Sequence, residues 1–224
     1  MEDLRADRLS PLLEQLDRAR ELAQARLEGL ASPASLPVGA PLGSRRHGGG
    51  RLSNEEYLWE PAPGAWSIRR RGQAATPRAL GPGEWVLDND SPDPDPAPVT
   101  TIAWRLGHLH SSFAGRWEWT FGQRRQPPAL LVDFSPSAAV ALERFWALMD
   151  RWRDSVAAMT AEQLETPGFG QYPNGSDPEE PFINVVWWTN LEFIHHMAEI
   201  GLLRDLWRAR ATSPQVDGGR GAAT

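Results

Sequence analysis

The 224-residue chain has no cysteine. That excludes disulfides, thiolate zinc sites and a cysteine nucleophile, so any thiol used in its chemistry has to arrive on a small molecule. Lysine is absent too: all 23 basic residues are arginine, which excludes a Schiff base and a lysine general base. No apolar run approaches the roughly 20 residues that span a bilayer. Met1 is followed by charged residues rather than by the apolar core of a secretory signal, so the expected location is cytoplasmic. The formal net charge is −6, and the arginines are dispersed, without the basic patch or stripe typical of nucleic-acid binding. Neither nucleic acid nor membrane is an expected partner.

Tryptophan, by contrast, is abundant, with 11 residues. Most of these rings read as core filling. Trp104, Trp119, Trp187 and Trp188 are the candidates for a ligand-pocket wall. The chain is long enough for one domain with a sizeable core.

Apolar residues at helical spacing predict four long helices, over about 3–30, 100–121, 136–159 and 182–210. On the third, Leu142, Phe145, Trp146, Met149, Trp152 and Val156 form one stripe. Residues 31–51 are rich in Pro, Gly, Ser and Ala without periodicity and read as a flexible insertion that includes His47. Ser53 and Glu56 have the spacing of a capping box, with Pro61 ending a short helix; Thr160 and Gln163 suggest a second capped turn. WSIRR and EWVLD read as short extended pieces, SPDPDPAP as a stiff acidic linker, and 166–181 as a Gly/Pro/Asn loop. The expected fold is all-α, a four-helix bundle with long crossover loops. Residues 1–210 read as a single domain and 211–224 as a disordered tail.

Winding the last helix at about 100° per residue places Asn190, Arg204, Asp205 and Arg208 on a side expected to face water. Val185, Leu203, Leu206 and Trp207 fall opposite, together with Glu192, His195, His196 and Glu199. Two carboxylates and two imidazoles in a core-facing stripe need partners. Glu192 with His196, and His195 with Glu199, are i,i+4 pairs on one face. One pair can hold a metal ion while the other orients a ligand ring. A buried hydrogen-bond network without metal explains the same pattern equally well.

The second long helix adds His108 and His110. Ile102, Leu106, Leu109, Phe113 and Trp117 form its main apolar stripe. His110 lies at the edge of that stripe, and His108 lies on another face with Trp104, Ser111 and Trp119. Periodicity mildly favours His110 as the inward residue, unless the helix is buried on two sides. Gly107 and Gly115, on that second face, would allow close helix approach.

IAWRLGHLH and EFIHHMAEIGLLRDLW, with LSNEEYLWEP and AWSIR upstream, resemble the DinB-like superfamily, most closely its DinB_2 branch. The resemblance runs from Leu52 to Trp207 and includes the first helix. It implies a four-helix bundle of the DinB type that holds a divalent metal (Zn, Ni, Fe or Mn) through three side chains. These correspond to His108 on the second helix and to Glu192 and His196 on the last. Glu192 stands where the family pattern has histidine, and either His110 or His195 is an alternative to an assigned ligand. The resemblance further implies a transferase or isomerase acting with a low-molecular-weight thiol, mycothiol or bacillithiol, on an electrophilic small molecule. The Ala-, Gly- and Pro-rich, lysine-free composition favours mycothiol. In that scheme His195 and Glu199 are the catalytic residues that orient ligands or move protons, and Trp104, Trp119 and Trp188 bind the cofactor. The alternatives are a metal-dependent hydrolase or lyase, and a non-enzymatic DinB-like binding or stress protein that has lost the metal. A homodimer is compatible with this reading.

Overall fold

The computed structural model describes residues 8–28, 50–92, 94–124, 130–170 and 179–212. The fold is mostly helical. Helix α1 spans Leu9–Glu28, α2 Asn54–Leu58, α3 Ile102–Thr120, α4 Ala138–Ala157, α5 Ala161–Glu165 and α6 Phe182–Thr212; strands β1, Ile68–Arg70, and β2, Trp85–Leu87, lie between α2 and α3. The expected elements are all recognisable among these. Leu30, His47, most of the 31–51 insertion, the middle of the 166–181 loop and nearly all of the tail lie outside the described residues. Among the described residues, no helix is long and apolar enough to cross a membrane.

The four long helices form a ring of neighbours. α3 packs on α4 and α6, and α1 packs on α6 and α4. The α4 stripe read from the sequence is buried throughout, and Trp152 sits edge-on to Phe113 of α3 at 5.5 Å. Ion pairs between Arg153 and Asp17, at 3.0 Å, and between Arg20 and Asp150 hold the outer edges of α1 and α4 together. α1 itself contributes Leu16, Ala23 and Leu27 to the core but leaves Leu22 45% exposed.

Local chemistry fixes the helix starts. Thr101 and Ser137 accept from the third backbone N–H of α3 and α4. Thr160 and Gln163 form a full capping box on α5. At α2 only half of the expected box is made. Ser53 accepts from the Glu56 N–H at 3.1 Å, but the Glu56 side chain turns inward to the buried Arg204 guanidinium of α6. A buried cation outcompetes an exposed backbone N–H for a carboxylate. Arg204 also donates to the carbonyls of Arg26 and Gly50, and the Leu52 N–H donates to the Leu27 carbonyl at 2.9 Å. One side chain thereby joins α1, α2, α6 and the chain entering α2.

β1 and β2 form a two-stranded antiparallel hairpin with Ile68 opposite Leu87. It is tied to the start of α3 by Trp66, which donates to the Val99 carbonyl and accepts from the Thr101 N–H. The buried Asp88 carboxylate gathers the Ser67 and Ala75 N–H groups and the Arg69 guanidinium. Gly107 serves this hairpin rather than a helix–helix approach. A methyl group there would stand 2.9 Å from Leu87 Cδ1 and 3.3 Å from Ile68 Cδ1 and Phe134 Cε1. Gly→Ala inside a helix ordinarily gains about 1 kcal/mol, while overpacking costs about 1–3 kcal/mol. Gly107→Ala is therefore expected to lower the urea midpoint of unfolding rather than raise it.

Candidate metal centre

α3 and α6 bring His108, Glu192 and His196 together. One donor atom from each lies within 4.8 Å of the others. Glu192 Oε2 is 3.4 Å from His196 Nε2 and 4.0 Å from His108 Nε2. Each residue is held by a neighbour. The His108 ring stacks on Trp104 at 5.0 Å and 9°, and Trp104 is anchored by donating its indole N–H to the Asp88 carbonyl at 2.7 Å. The hairpin thus sets the orientation of a side chain on α3.

His196 Nδ1 lies 2.7 Å from Glu199 Oε2 and 3.1 Å from Arg105 Nη1. The carboxylate contact is the shorter, so Nδ1 carries the proton and donates to Glu199, whose charge Arg105 balances by donating to the same oxygen. Burial first, then the nearby His108, lowers the His196 pKa, with Arg105 adding and Glu199 opposing. His196 is then neutral at neutral pH, and the lone pair on Nε2 faces Glu192. Glu192 is held below the ordinary carboxylate range chiefly by the His108 imidazole across from it, with partial burial opposing and His196 and His195 assisting. At 4.0 Å that imidazole is too far for a direct hydrogen bond. The Glu192 carboxylate and His196 Nε2 thus face each other, with His108 Nε2 beside them.

This donor set fits a divalent cation. Bonds of about 2.1 Å place neighbouring ligand atoms about 3.0–3.4 Å apart, close to the Glu192–His196 spacing. Two nitrogens and one carboxylate oxygen suit zinc and the harder first-row ions. The side chains of His108, Glu192 and His196 retain 35%, 26% and 14% of their exposure, so the cluster opens to solvent on one side, as a site with a free coordination position must.

The other sequence-selected residues divide. Glu199 orients His196 rather than touching the cluster itself. His195 is exposed and stands outside it. Trp188 lines a cleft of about 460 Å³ with Arg116, Asn184 and the exposed Trp187, one helical turn from Glu192. Trp119 lies eleven residues from His108, about 16 Å along the axis, with the Arg124 guanidinium over its ring; it does not reach the cluster. The expected water-facing side of α6 is also corrected. Asn190 and Arg204 are fully buried, because α1 packs there and Asn190 donates to the Leu12 carbonyl at 2.8 Å, whereas Leu206 is 47% exposed. Glu192, His196 and Glu199 sit at the edge of the α3 contact, half-buried. Asp88 and Arg105 went unnoticed in the sequence. Arg105 had a signal, since it precedes His108 by three residues and offers a cation to Glu199.

His110 lies on the opposite flank of α3, edge-on to Phe145 at 6.1 Å. Burial first, then the Arg144 and Arg151 charges, lowers its pKa to about 4. Unfolded, a histidine titrates near 6.5. The unfolded chain therefore binds the extra proton between these values, and stability falls as pH drops from about 6.5 to about 4. The contribution of this one group is at most about 3 kcal/mol. Comparing denaturant midpoints at the two ends of that window for the parent and His110→Gln should show a flatter profile in the variant.

The profile of the family described as the DinB superfamily, DinB_2, matches residues 78–200. No curated protein and no solved structure shows significant similarity to the chain.

Proposed function

The chain belongs to the DinB superfamily, and on that footing we propose that it is a metal-dependent transferase or isomerase that uses a low-molecular-weight thiol, mycothiol by preference, on an electrophilic small molecule. The proposed fold is the four-helix bundle of that family. The observation that carries the reading is the approach of His196 Nε2 to the Glu192 carboxylate, with His108 beside them and all three side chains partly open to solvent.

His108, Glu192 and His196 would hold the ion. When bound, it would lower the pKa of a coordinating thiol and hold it as the thiolate. The protein's own part is positional. Glu199 accepts the His196 Nδ1 proton, Arg105 holds the Glu199 carboxylate, and Trp104 keeps His108 in place. Trp188 with the adjoining cleft offers an apolar wall to the electrophile. Because the chain has no cysteine, a thiol nucleophile would have to come from outside it.

The test is the protein loaded with Co²⁺ or Ni²⁺ and titrated with mycothiol. A thiolate-to-metal charge-transfer band is expected, together with faster thiol consumption by an electrophilic bimane. A loaded protein without that band is not a thiol enzyme, and water activation would take its place. Glu192→Gln should weaken metal binding by more than about 100-fold, beyond the 10–100-fold typical of changes outside the ligands. Glu192→His should restore it. Unchanged affinity in Glu192→Gln would remove Glu192 from the ligand set.

A further inference from the structure

On the flank of α3 away from the metal cluster, α3 and α4 leave a second cleft of about 460 Å³. Residues 108 and 110 are about 200° apart around the helix axis, so the two sites do not share a face. His110 and Trp117 line the second cleft from α3, Leu148, Arg144 and Arg151 line it from α4, and Leu131 comes from the loop between them. Its volume falls within the range of small-molecule sites.

The charges in this cleft are unequally satisfied. Arg144 donates to the Asp133 carbonyl at 2.6 Å and lies 3.6 Å from its carboxylate. Glu118 accepts from the Gln123 N–H at 3.1 Å. Arg151 stands over Trp117, its guanidinium carbon 4.6 Å from the ring centre, and among the described residues no carboxylate pairs with it. An arginine laid on an indole keeps its N–H edge free for an anion while its face is covered. Below this edge the wall is apolar, formed by Trp117, Leu131 and Leu148. The His110 ring, packed on Phe145, adds an N–H-bearing group among the lining residues.

We propose that this cleft binds an organic monocarboxylate of aromatic-acid size. Arg151 and Arg144 would hold the carboxylate, and the apolar body would lie on Trp117 and Leu148. A bare inorganic anion satisfies the arginines but leaves the apolar wall wet, and a cation of the same shape meets two guanidinium groups and finds the lining carboxylates, Asp133 and Glu118, already engaged. The site is separate from the metal centre and does not depend on it.

The experiment is calorimetric titration of the full-length protein with phenylacetate, with inorganic phosphate and phenethylamine as comparison ligands. Saturable phenylacetate binding is expected, at least about tenfold tighter than phosphate, with no phenethylamine binding. Arg151→Gln, at an exposed position that folding tolerates, should weaken phenylacetate at least about tenfold. His108→Ala should leave phenylacetate affinity unchanged. The proposal is overturned by a lack of saturation, by phosphate binding as tightly, or by phenylacetate binding that ignores Arg151→Gln. Loss of binding in His108→Ala would assign the ligand to the metal centre instead.

Discussion

Arg204→Ala is expected to lose about 3–5 kcal/mol of stability, a large part of the roughly 5–15 kcal/mol that holds an ordinary domain folded. Arg204 is fully buried, and its guanidinium satisfies both oxygens of the buried Glu56 carboxylate and two backbone carbonyls. Truncation leaves the carboxylate without a counter-charge in a site closed to water. The loss should therefore far exceed that of Arg153→Ala, whose partner Asp17 remains solvated. Glu56→Leu combined with Arg204→Met should recover part of the loss, since an apolar pair is often no worse than a buried ion pair. Recovery should stop short of full, because the Arg26 and Gly50 carbonyls stay unpaired. Denaturant midpoints for the three variants read this directly. A single-variant loss below about 1 kcal/mol, the level of an exposed pair, would show that water reaches Glu56.

His108→Ala should abolish stoichiometric metal binding, lowering affinity by at least about a thousandfold, as expected when one of three donors is removed. His110→Ala should leave affinity within a few-fold of the parent. The two residues are neighbours in sequence but face opposite flanks of α3. Only His108 comes within 4.0 Å of Glu192. Competition against a chromophoric chelator measures both variants, and circular dichroism checks that each remains folded. Retained binding in His108→Ala with loss in His110→Ala would mean that α3 is rotated relative to the arrangement described.

The stripe of α4 and the caps of α2 and α5 were legible because each depends on residues close in sequence. The stripe needs one partner surface, and a capping box needs four consecutive positions. α6 was not legible in the same way. It packs against α1 on one side and α3 on another, so its buried positions wrap most of the way round. Asn190 and Arg204 then pass for surface residues until α1 is placed against them. His108 suffered the converse problem. Its stripe was weaker than that of His110, and it was chosen through the family resemblance. Geometry explains the choice: α3 is also contacted on two flanks. Asp88 was beyond reach, because its role depends on a hairpin closing onto the first turn of α3, a relation between segments far apart in the chain.

The hydrogen bond from the Leu52 N–H to the Leu27 carbonyl brings the end of α1 and the chain entering α2 together at one point of the core. For an interval that is flexible, as the composition of 31–51 predicts, length enters the folding free energy only logarithmically, at about 0.6 kcal/mol per doubling. Halving or doubling this interval should be nearly invisible to unfolding measurements, and the interval is a natural place to splice in a reporter or a second domain. The first turn of α3 has the opposite property. Trp104 and His108 stack because they stand four residues apart on one helix, so a single residue added between them would turn the two rings onto different faces.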